Sequence, residues 1–413
     1  MSTWVTLNRT CNLRCKWCYA RNTGYKISDN ISFEDFRNIA DFVKSCGDDQ
    51  ILLIGGEPTL YSKLIECIEY CNSIDIQTVL VTNGVLLTNR ELVEKYKKAG
   101  LSSIDISIKG ASDVEYEGSC GFKKYNDVLV AVKNCSDIFK DQFSCSFVIT
   151  LDNVDYFINA VRTVCEEGCY RVNLSFAYDF NTSRIKNKYW IYADDPLLKI
   201  SKFMDHVDEI DEYTEGRWGF ELGYPICFYT EEQLKKLGKH MSSCCQLIEN
   251  SAMLFDTELN SIPCNMMYEL KCGKFGQDFI NKIEYETNKR ICYKHIYDAL
   301  RALPDERCQK CSNLKYCGGG CVCLWTNTSF KEFDKYCKLK KMPPNYGDKQ
   351  INQEVDYIEK KISTDELKRE EIYRYLLVLK TQFARTNFLK KLKTRNVISD
   401  IDDALKLYIE VKS

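Results

Sequence analysis

The sequence of 413 residues predicts an α/β protein with a parallel sheet, followed by a cysteine-rich segment and a helical extension. Short β-branched runs alternate with longer helical patterns from Trp4 to Ala177, which is typical of βα units with parallel strands. Cysteine is unusually frequent, with 23 residues, and charges recur among helically spaced apolar residues after Pro343. These observations divide the chain into residues 1–222, 223–342 and 343–413.

Each element is predicted from its local pattern. The strands are expected at Trp4–Leu7, Ile51–Ile54, Thr78–Thr82, Ser103–Ile108, Ser146–Thr150, Arg171–Phe176 and Met253–Phe255. The helices are expected at Ser32–Lys44, Tyr61–Cys71, Asn89–Lys98, Lys124–Asp137, Val154–Glu166, Leu197–Glu209, Lys349–Lys393 and Asp400–Val411. Ser32 has the residue type and the position of a helix N-cap. The stretch Asn181–Leu222 is interpreted as a connector.

Composition excludes several classes of protein. The net charge of −2 gives no basic surplus for nucleic acid, and no apolar stretch is long enough to span a membrane. The first residues lack the basic and apolar regions of a secretory signal, so a cytoplasmic location is expected. Only three histidines are present, which argues against a histidine-rich zinc hydrolase. In a cytosolic chain, this many thiols favour metal binding over disulfides.

A cysteine triad stands close to the start of the chain. Cys11, Cys15 and Cys18 have C-x3-C-x2-C spacing, and three thiolates can hold three irons of a 4Fe–4S cluster while the fourth iron stays open. A small zinc knuckle is the alternative, but zinc sites normally recruit a fourth Cys or His nearby. No such residue follows Cys18 for many positions.

The triad and the run Gly55-Gly56-Glu57-Pro58 together resemble the radical S-adenosylmethionine (SAM) enzymes. The resemblance implies an open, partial (β/α)6 TIM-like barrel with its site at the carboxyl ends of the strands. It also implies SAM as cofactor, with Trp17 beside it and Pro58 shaping the turn that meets its amino group. The further residues that the resemblance places at SAM are Gly55, Gly56, Glu57, Thr82, Asn83, Ser107 and Asn153. Ordinary βα turn chemistry is the alternative for these positions. Relatives often have Asp where Lys109 stands.

A second constellation is the run Cys308-x2-Cys311-x5-Cys317-x3-Cys321. With Cys245, Cys264 and Cys337 it resembles the SPASM domain, a cysteine-rich α+β extension of radical SAM enzymes that holds two auxiliary 4Fe–4S clusters. The resemblance implies that Cys245, Cys264 and Cys321 hold the first cluster, and that Cys308, Cys311, Cys317 and Cys337 hold the second. Cys244 and Cys227 are candidates for the missing ligand of the first cluster. A treble-clef or ribbon zinc site is the alternative.

The sequence departs from this pattern before and after Cys264. Relatives usually have a glycine shortly before this cysteine, and its absence leads us to expect a positive φ at Asn260. Relatives that oxidise a sulfatase residue carry an aspartate after this cysteine, whereas this chain has Asn265. The departure argues against sulfatase maturation.

The resemblance implies radical chemistry on a substrate carbon. SAM would be cleaved reductively to a 5′-deoxyadenosyl radical, which abstracts hydrogen from a ribosomally made peptide and leads to an oxidative crosslink (thioether, C–C or C–O). Epimerisation is an alternative in which Cys120, in a predicted loop, returns the hydrogen atom, although a loop cysteine without function is the more common case. A carbohydrate or small-molecule dehydrogenase, and an iron–sulfur or zinc scaffold without activity, are further alternatives.

The expected partners follow from the same resemblance. A precursor peptide is the expected substrate, and a flavodoxin- or ferredoxin-type protein the expected electron donor. Because the first predicted strand begins at Trp4, leader recognition is expected to need another site or a separate protein. Neither nucleic acid nor a membrane is expected as a partner.

Overall fold

The computed structural model describes residues 2–20, 26–177, 195–221, 223–238, 240–242, 252–268, 270–299, 308, 310, 311, 313 and 317–321. The chain divides into two compact units. The first comprises Met1–Glu221, Lys236–Ser242 and Ser251–Tyr293, and the second comprises Leu222–Lys235, Ser243–Asn250 and Lys294–Ser413. The predicted helices after Pro343, together with Cys244, Cys245 and Cys337, lie outside the described residues.

The first unit is built on an open sheet with nine described strands, in which every neighbouring pair is parallel. The strands are β1 (Ser2–Thr6), β2 (Gln50–Ile54), β3 (Gln77–Thr82), β4 (Ser103–Ile108), β5 (Phe143–Ile149), β6 (Val172–Phe176), β7 (Trp218–Glu221), β8 (Met241–Ser242) and β9 (Ala252–Phe255). Their order across the sheet is β8-β7-β6-β5-β4-β3-β2-β1-β9. This confirms the predicted parallel α/β architecture of a partial barrel.

The sheet extends beyond the six strands expected for the barrel. The segment interpreted as a connector contains β7, which pairs with β6. Strand β9, predicted at Met253–Phe255, pairs with β1 at the opposite edge, and all four of its residues are buried. A run that is buried on both faces carries no alternation, so its place in the sheet was not evident from its sequence pattern.

The described helices are α1 (Phe33–Ser45), α2 (Leu64–Ser73), α3 (Arg90–Ala99), α4 (Asp113–Cys120), α5 (Tyr125–Phe139), α6 (Phe157–Glu166), α7 (Pro196–Asp205), α8 (Val207–Thr214), α9 (Glu231–Leu237) and α10 (Lys282–Ala299). The Ser32 hydroxyl accepts a hydrogen bond of 3.0 Å from the Asp35 amide, which confirms the predicted N-cap. The helix expected at Leu197–Glu209 is divided into α7 and α8 at His206. Helix α4 was not predicted.

The two faces of the sheet differ in polarity. On one face of β4, Ile104, Ile106 and Ile108 are buried. Gly84 lies close to this face, because a Cβ added there would be 2.9 Å from the side chain of Ile106 and 3.7 Å from that of Ala131 in α5. The opposite, inner face carries Asp105 and Ser107, which pair in register with Ser144 and Ser146 of β5. Ser144 Oγ donates a 2.6 Å hydrogen bond to Asp105, and burial raises the pKa of the Asp105 carboxyl. The inner face is therefore polar.

Among the described residues, no helix is both long enough and apolar enough to cross a membrane.

Candidate active site

The site begins where the segment after β1 meets the turn after β2. The amide of Gly56 donates to the Asn8 carbonyl and the amide of Glu57 to the Thr10 carbonyl, both at 2.7 Å. An added Cβ would lie 2.2 Å from Asn8 Oδ1 at Gly55 and 2.3 Å from the Thr10 carbonyl oxygen at Gly56. An added side chain at either position would therefore collide with the segment after β1, because the two chain segments lie close together.

Glu57 is the hydrogen-bonding centre of this edge of the sheet. Its side chain is 1 % exposed, and its carboxylate accepts hydrogen bonds from the amide and hydroxyl of Thr59, from the Thr82 hydroxyl and from the Asn83 amide, at 2.6–3.1 Å. Burial raises the pKa of Glu57, although these four donors oppose the shift. The carboxylate thus joins the turn after β2 to the end of β3.

Asn83 extends this connection to the triad. Its Nδ2 donates to Asn12 Oδ1 at 2.7 Å and lies 4.0 Å from Cys11 Sγ, while its Oδ1 accepts from the Val85 amide at 3.0 Å. Gly84, with φ of 79°, turns the chain after it. The structure therefore places Asn83 beside the triad loop, while the preceding Thr82 contacts Glu57.

The triad loop is also held from the other side by the end of α4. The amides of Arg14 and Lys16 donate to the carbonyls of Cys120 and Ser119, at 2.9 and 3.0 Å. Cys11, Cys15 and Cys18 are all partly exposed. Burial, with smaller contributions from the nearby Glu57 and the other triad sulfurs, raises the pKa of the Cys11 thiol to about 11.

A metal cluster fits this donor set. Burial disfavours the charged thiolate of Cys11, and iron bound to the sulfur would supply the positive charge that stabilises it. Within the described residues, no three His, Cys, Asp or Glu side chains are arranged to hold one metal ion. In a 4Fe–4S cluster each cysteine instead binds its own iron.

Lys109 is a functional candidate that the sequence analysis noted only as a departure. It is 8 % exposed, its Nζ donates to Ser107 Oγ, and it lies 5.8 Å from the centre of the buried Trp17 ring. It makes no ion pair with any residue that the structure describes. The structure therefore brings Ser107 and Trp17 together around a buried cation.

Cys120 and Asn153 both have local roles. Cys120 is the last residue of α4, not part of a loop as expected; its buried thiol donates to the Tyr116 carbonyl at 3.0 Å, and burial raises its pKa to about 11. Asn153 accepts from the Thr150 amide at 2.7 Å and donates to the Val148 carbonyl at 3.0 Å. Both ends of the Asn153 amide thus stabilise the turn after β5.

Cys264 belongs to the first unit and lies near the triad. Its Sγ accepts from the Met266 amide at 3.4 Å. The pKa of Tyr19 is raised, mainly by burial, and Cys18 and Cys264 both contribute. Tyr19 therefore lies near both cysteines.

The turn before Cys264 has the positive φ that we expected, but at a different residue. Leu259 has φ of 68°, so the prediction for Asn260 was wrong. Asn260 instead donates through its backbone and side-chain amides to the buried carboxylate of Asp256, at 2.9 Å each. That carboxylate also accepts from Lys271 Nζ at 2.6 Å.

The second unit contains the described cysteines of the second constellation. Cys317 Sγ accepts from the Ile226 amide at 3.3 Å, next to Cys227, and the amide of Cys321 donates to the Gly223 carbonyl at 2.8 Å. The amide of Cys311 donates to the Cys308 carbonyl at 3.2 Å. Residues 318–320 are glycines with φ of 52–82°, a conformation closed to most side chains. This chain path brings Cys227 towards Cys317.

Comparison with known proteins identifies the family. Residues 5–164, which span β1 to α6 and include the triad and Gly55–Pro58, match the Radical SAM superfamily. Residues 5–164 thus form a radical SAM domain. Members of this superfamily are enzymes that use SAM and an iron–sulfur cluster.

Two curated relatives of this radical SAM protein have different activities. The chain is 32 % identical over 133 residues to Fe-coproporphyrin III synthase of Methanosarcina barkeri, covering 32 % of this chain and 33 % of the relative. It is 30 % identical over 206 residues to a probable GTP 3′,8-cyclase of Saccharolobus solfataricus, covering 49 % and 64 %. The chain thus spans a third to about two thirds of the length of these relatives.

Solved structures of similar fold cover more of the radical SAM protein. SuiB of Streptococcus suis, bound to the precursor peptide SuiA, has a TM-score of 0.58 and 18 % identity, covering 82 % of this chain and 76 % of SuiB. The protein anSMEcpe with bound AdoMet has a TM-score of 0.58 and 20 % identity, covering 81 % and 92 %. At these identities the likeness shows a shared fold.

Proposed function

We propose that the protein is a radical SAM enzyme that modifies a ribosomally made peptide, most simply by an oxidative crosslink. The observation that carries this proposal is the connection centred on Glu57, which joins the triad loop, the glycine turn and the end of β3 at one edge of the sheet. A partly exposed thiol triad at the carboxyl ends of parallel strands lies where barrel enzymes have their active sites.

Within this proposal, Cys11, Cys15 and Cys18 hold the SAM-binding cluster. When bound, the reduced cluster and SAM supply a 5′-deoxyadenosyl radical. Trp17 would pack beside SAM, and Lys109 would present a cation to an anionic group there. The turn at Gly55–Pro58 would bind the methionyl end, and Thr82, Asn83 and Ser107 would line the site. Glu57 and Asn153 act by positioning, because their side chains are occupied by protein hydrogen bonds.

We assign the second constellation to two auxiliary clusters of a SPASM domain over residues 223–342. Cys245, Cys264 and Cys321, with Cys227 or Cys244, would hold the first; Cys308, Cys311, Cys317 and Cys337 would hold the second. Support comes from the turn before Cys264, where Leu259 has a positive φ that glycine adopts readily, and from the glycine turn before Cys321. Such clusters suit a net oxidation, because each can accept an electron.

The fold likeness to a precursor-bound structure supports a peptide substrate. Its partners would be the precursor, a separate leader-recognition protein and a flavodoxin- or ferredoxin-type donor. The relatives named for GTP cyclisation and for Fe-coproporphyrin III synthesis make these small-molecule reactions the competing activities to test.

The first experiment measures SAM cleavage by protein purified and reconstituted without oxygen. With dithionite, we expect 5′-deoxyadenosine from the wild-type protein and none from the triple variant Cys11→Ala, Cys15→Ala, Cys18→Ala. Cys71→Ala is the matched control, because this buried thiol of α2 has no role in the site and should leave cleavage intact. Absence of cleavage by fully iron-loaded wild-type protein would reject the proposal and favour a scaffold.

The second experiment identifies the substrate. Co-expression with short reading frames adjacent to the gene, followed by mass analysis, should show loss of two hydrogens per crosslink. Epimerisation would instead leave the peptide mass unchanged in ordinary water and would introduce deuterium when the reaction is run in deuterated water. Consumption of GTP, or formation of Fe-coproporphyrin III, with no change in the peptide, would instead favour the activities of the curated relatives.

A further inference from the structure

We infer that the amino-terminal end of the sheet carries a second ligand site, which binds a phosphate-bearing small molecule. A cavity of about 420 Å³ opens there. Gln50, Gln77 and Ser103 line it and are the first residues of β2, β3 and β4. Gln142 and Arg171, which directly precede β5 and β6, complete its wall. The volume lies in the range of small-molecule sites.

This cavity is separate from the candidate active site. The triad and Glu57 lie at the carboxyl ends of the same strands, which are five to seven residues long. At about 3.3 Å per residue, the two ends are roughly 15–20 Å apart. A ligand at the amino-terminal end would therefore not occupy the position of SAM or of its substrate.

The charge of the cavity has one sign. Lys97 and Arg171 are its cations, and none of its lining residues is acidic. Lys97 Nζ donates to Gln142 Oε1 at 2.5 Å and lies 4.8 Å from the centre of the Phe139 ring, so its position is defined and it retains donors for a ligand. Because both charged residues that line the cavity are positive, the cavity should attract an anion.

Arg171 is positioned for ligand binding. Its carbonyl accepts from the Cys145 amide at 3.0 Å and from Cys169 Sγ at 3.4 Å, which holds its backbone in place. Its guanidinium makes no ion pair and no side-chain hydrogen bond with any residue in the described part of the chain. A guanidinium binds phosphate oxygens through two parallel N–H donors, and the amides of Gln50 and Gln77 can donate to the remaining oxygens.

Equilibrium dialysis of the full chain at low salt tests this inference, with inorganic pyrophosphate, ATP, GTP and citrate as probes. We expect saturable binding of at least one phosphate probe below about 1 mM, weakened tenfold or more in the double variant Lys97→Met, Arg171→Met. Lys98→Met is the matched control, because this neighbouring lysine of α3 does not line the cavity and should leave the affinity unchanged.

Three results would overturn the inference: no saturable binding of any probe, equal binding by the double variant, or citrate binding as tight as that of the phosphate probes. Circular dichroism and the melting temperature of each variant show whether it is folded, and Arg171→Lys should retain part of the affinity. The measurement requires no SAM cleavage, so it is independent of the proposed function.

Discussion

Thr82 Oγ1 donates a hydrogen bond of 2.6 Å to Glu57 Oε1, between the end of β3 and the turn after β2. The same hydroxyl accepts from the Gly84 amide at 3.1 Å, at the start of the turn that carries Asn83 to the triad loop. A buried carboxylate thus sets the geometry of three chain segments. Replacing this carboxylate should therefore lower the stability of the fold even when no ligand is bound.

We predict that Glu57→Gln lowers the free energy of unfolding by about 1–3 kcal/mol, because an amide nitrogen cannot accept the hydrogen bonds that the carboxylate accepts. Denaturant unfolding of the protein without cofactors measures the effect. Glu66→Gln is the control: Glu66 is an exposed partner of Lys63, and its loss should cost less than about 1 kcal/mol. Wild-type stability combined with weak SAM binding would instead indicate that Glu57 contacts SAM.

The two glycines of the turn should differ in their tolerance of alanine. At Gly56 the three nearest neighbours of the added Cβ are backbone atoms, at 2.3–2.7 Å, whereas at Gly55 the nearest backbone atom, the Asn8 carbonyl oxygen, lies at 2.9 Å and the closer neighbour belongs to the Asn8 side chain. We therefore expect Gly56→Ala to lose more stability and more bound iron than Gly55→Ala. Gly118→Ala is the control: no atom lies within 4 Å, and it should stabilise α4 by about 0.5–1 kcal/mol. Equal effects at Gly55 and Gly56 would contradict this explanation.

The positive φ of Leu259 predicts an unusual order of stabilities at this position. A left-handed conformation destabilises an L-residue by about 1–2 kcal/mol. Glycine adopts this conformation without that cost, and a β-branched residue has a larger cost. Melting temperatures should therefore rank Leu259→Gly and Leu259→Asn at or above wild type, and Leu259→Val below it. A higher melting temperature for Leu259→Val would show that the turn is not strained.

Replacing Lys109 should weaken SAM binding without lowering the stability of the fold. We expect Lys109→Met to bind SAM about tenfold more weakly, because a charge-assisted contact beside Trp17 is lost, while stability is unchanged or increased by removing a buried charge. Lys199→Met is the matched control: this lysine is also buried but donates to the Ala177 carbonyl. Unchanged SAM affinity would indicate that Lys109 serves the substrate or the fold.

The pKa of Cys120, raised by burial from 9.0 to about 11, predicts the pH dependence of its alkylation. A raised thiol pKa means that the folded state favours the protonated form, so this contribution to stability is complete below pH 9 and is lost as the pH rises towards 11. Mass spectrometry should find little iodoacetamide adduct at Cys120 at pH 8 and more towards pH 11. Rapid labelling at pH 8 would contradict its burial.

Much of the fold could be predicted from local patterns. The six strands of the predicted barrel, the N-cap at Ser32 and the parallel pairing all follow from periodicity and turn residues. Helix α4 could not be predicted in this way, because it is only eight residues long and contains Gly118 and Ser119, which are poor helix formers. Its N-cap Ser112 and its packing at the triad loop compensate for that composition.

The triad spacing, the glycine turn and the resemblance that they carry could be recognised from the order of residues alone, because they depend on residue types at short, fixed separations. Three features required the folded chain: the Glu57 carboxylate accepts hydrogen bonds from the end of β3, Lys109 lies near the Trp17 ring, and Leu259, not Asn260, takes the positive φ. The first two features arise from contacts between distant segments. The third accompanies the hydrogen bonds that Asn260 donates to the Asp256 carboxylate. None of the three is encoded in the local pattern of the chain.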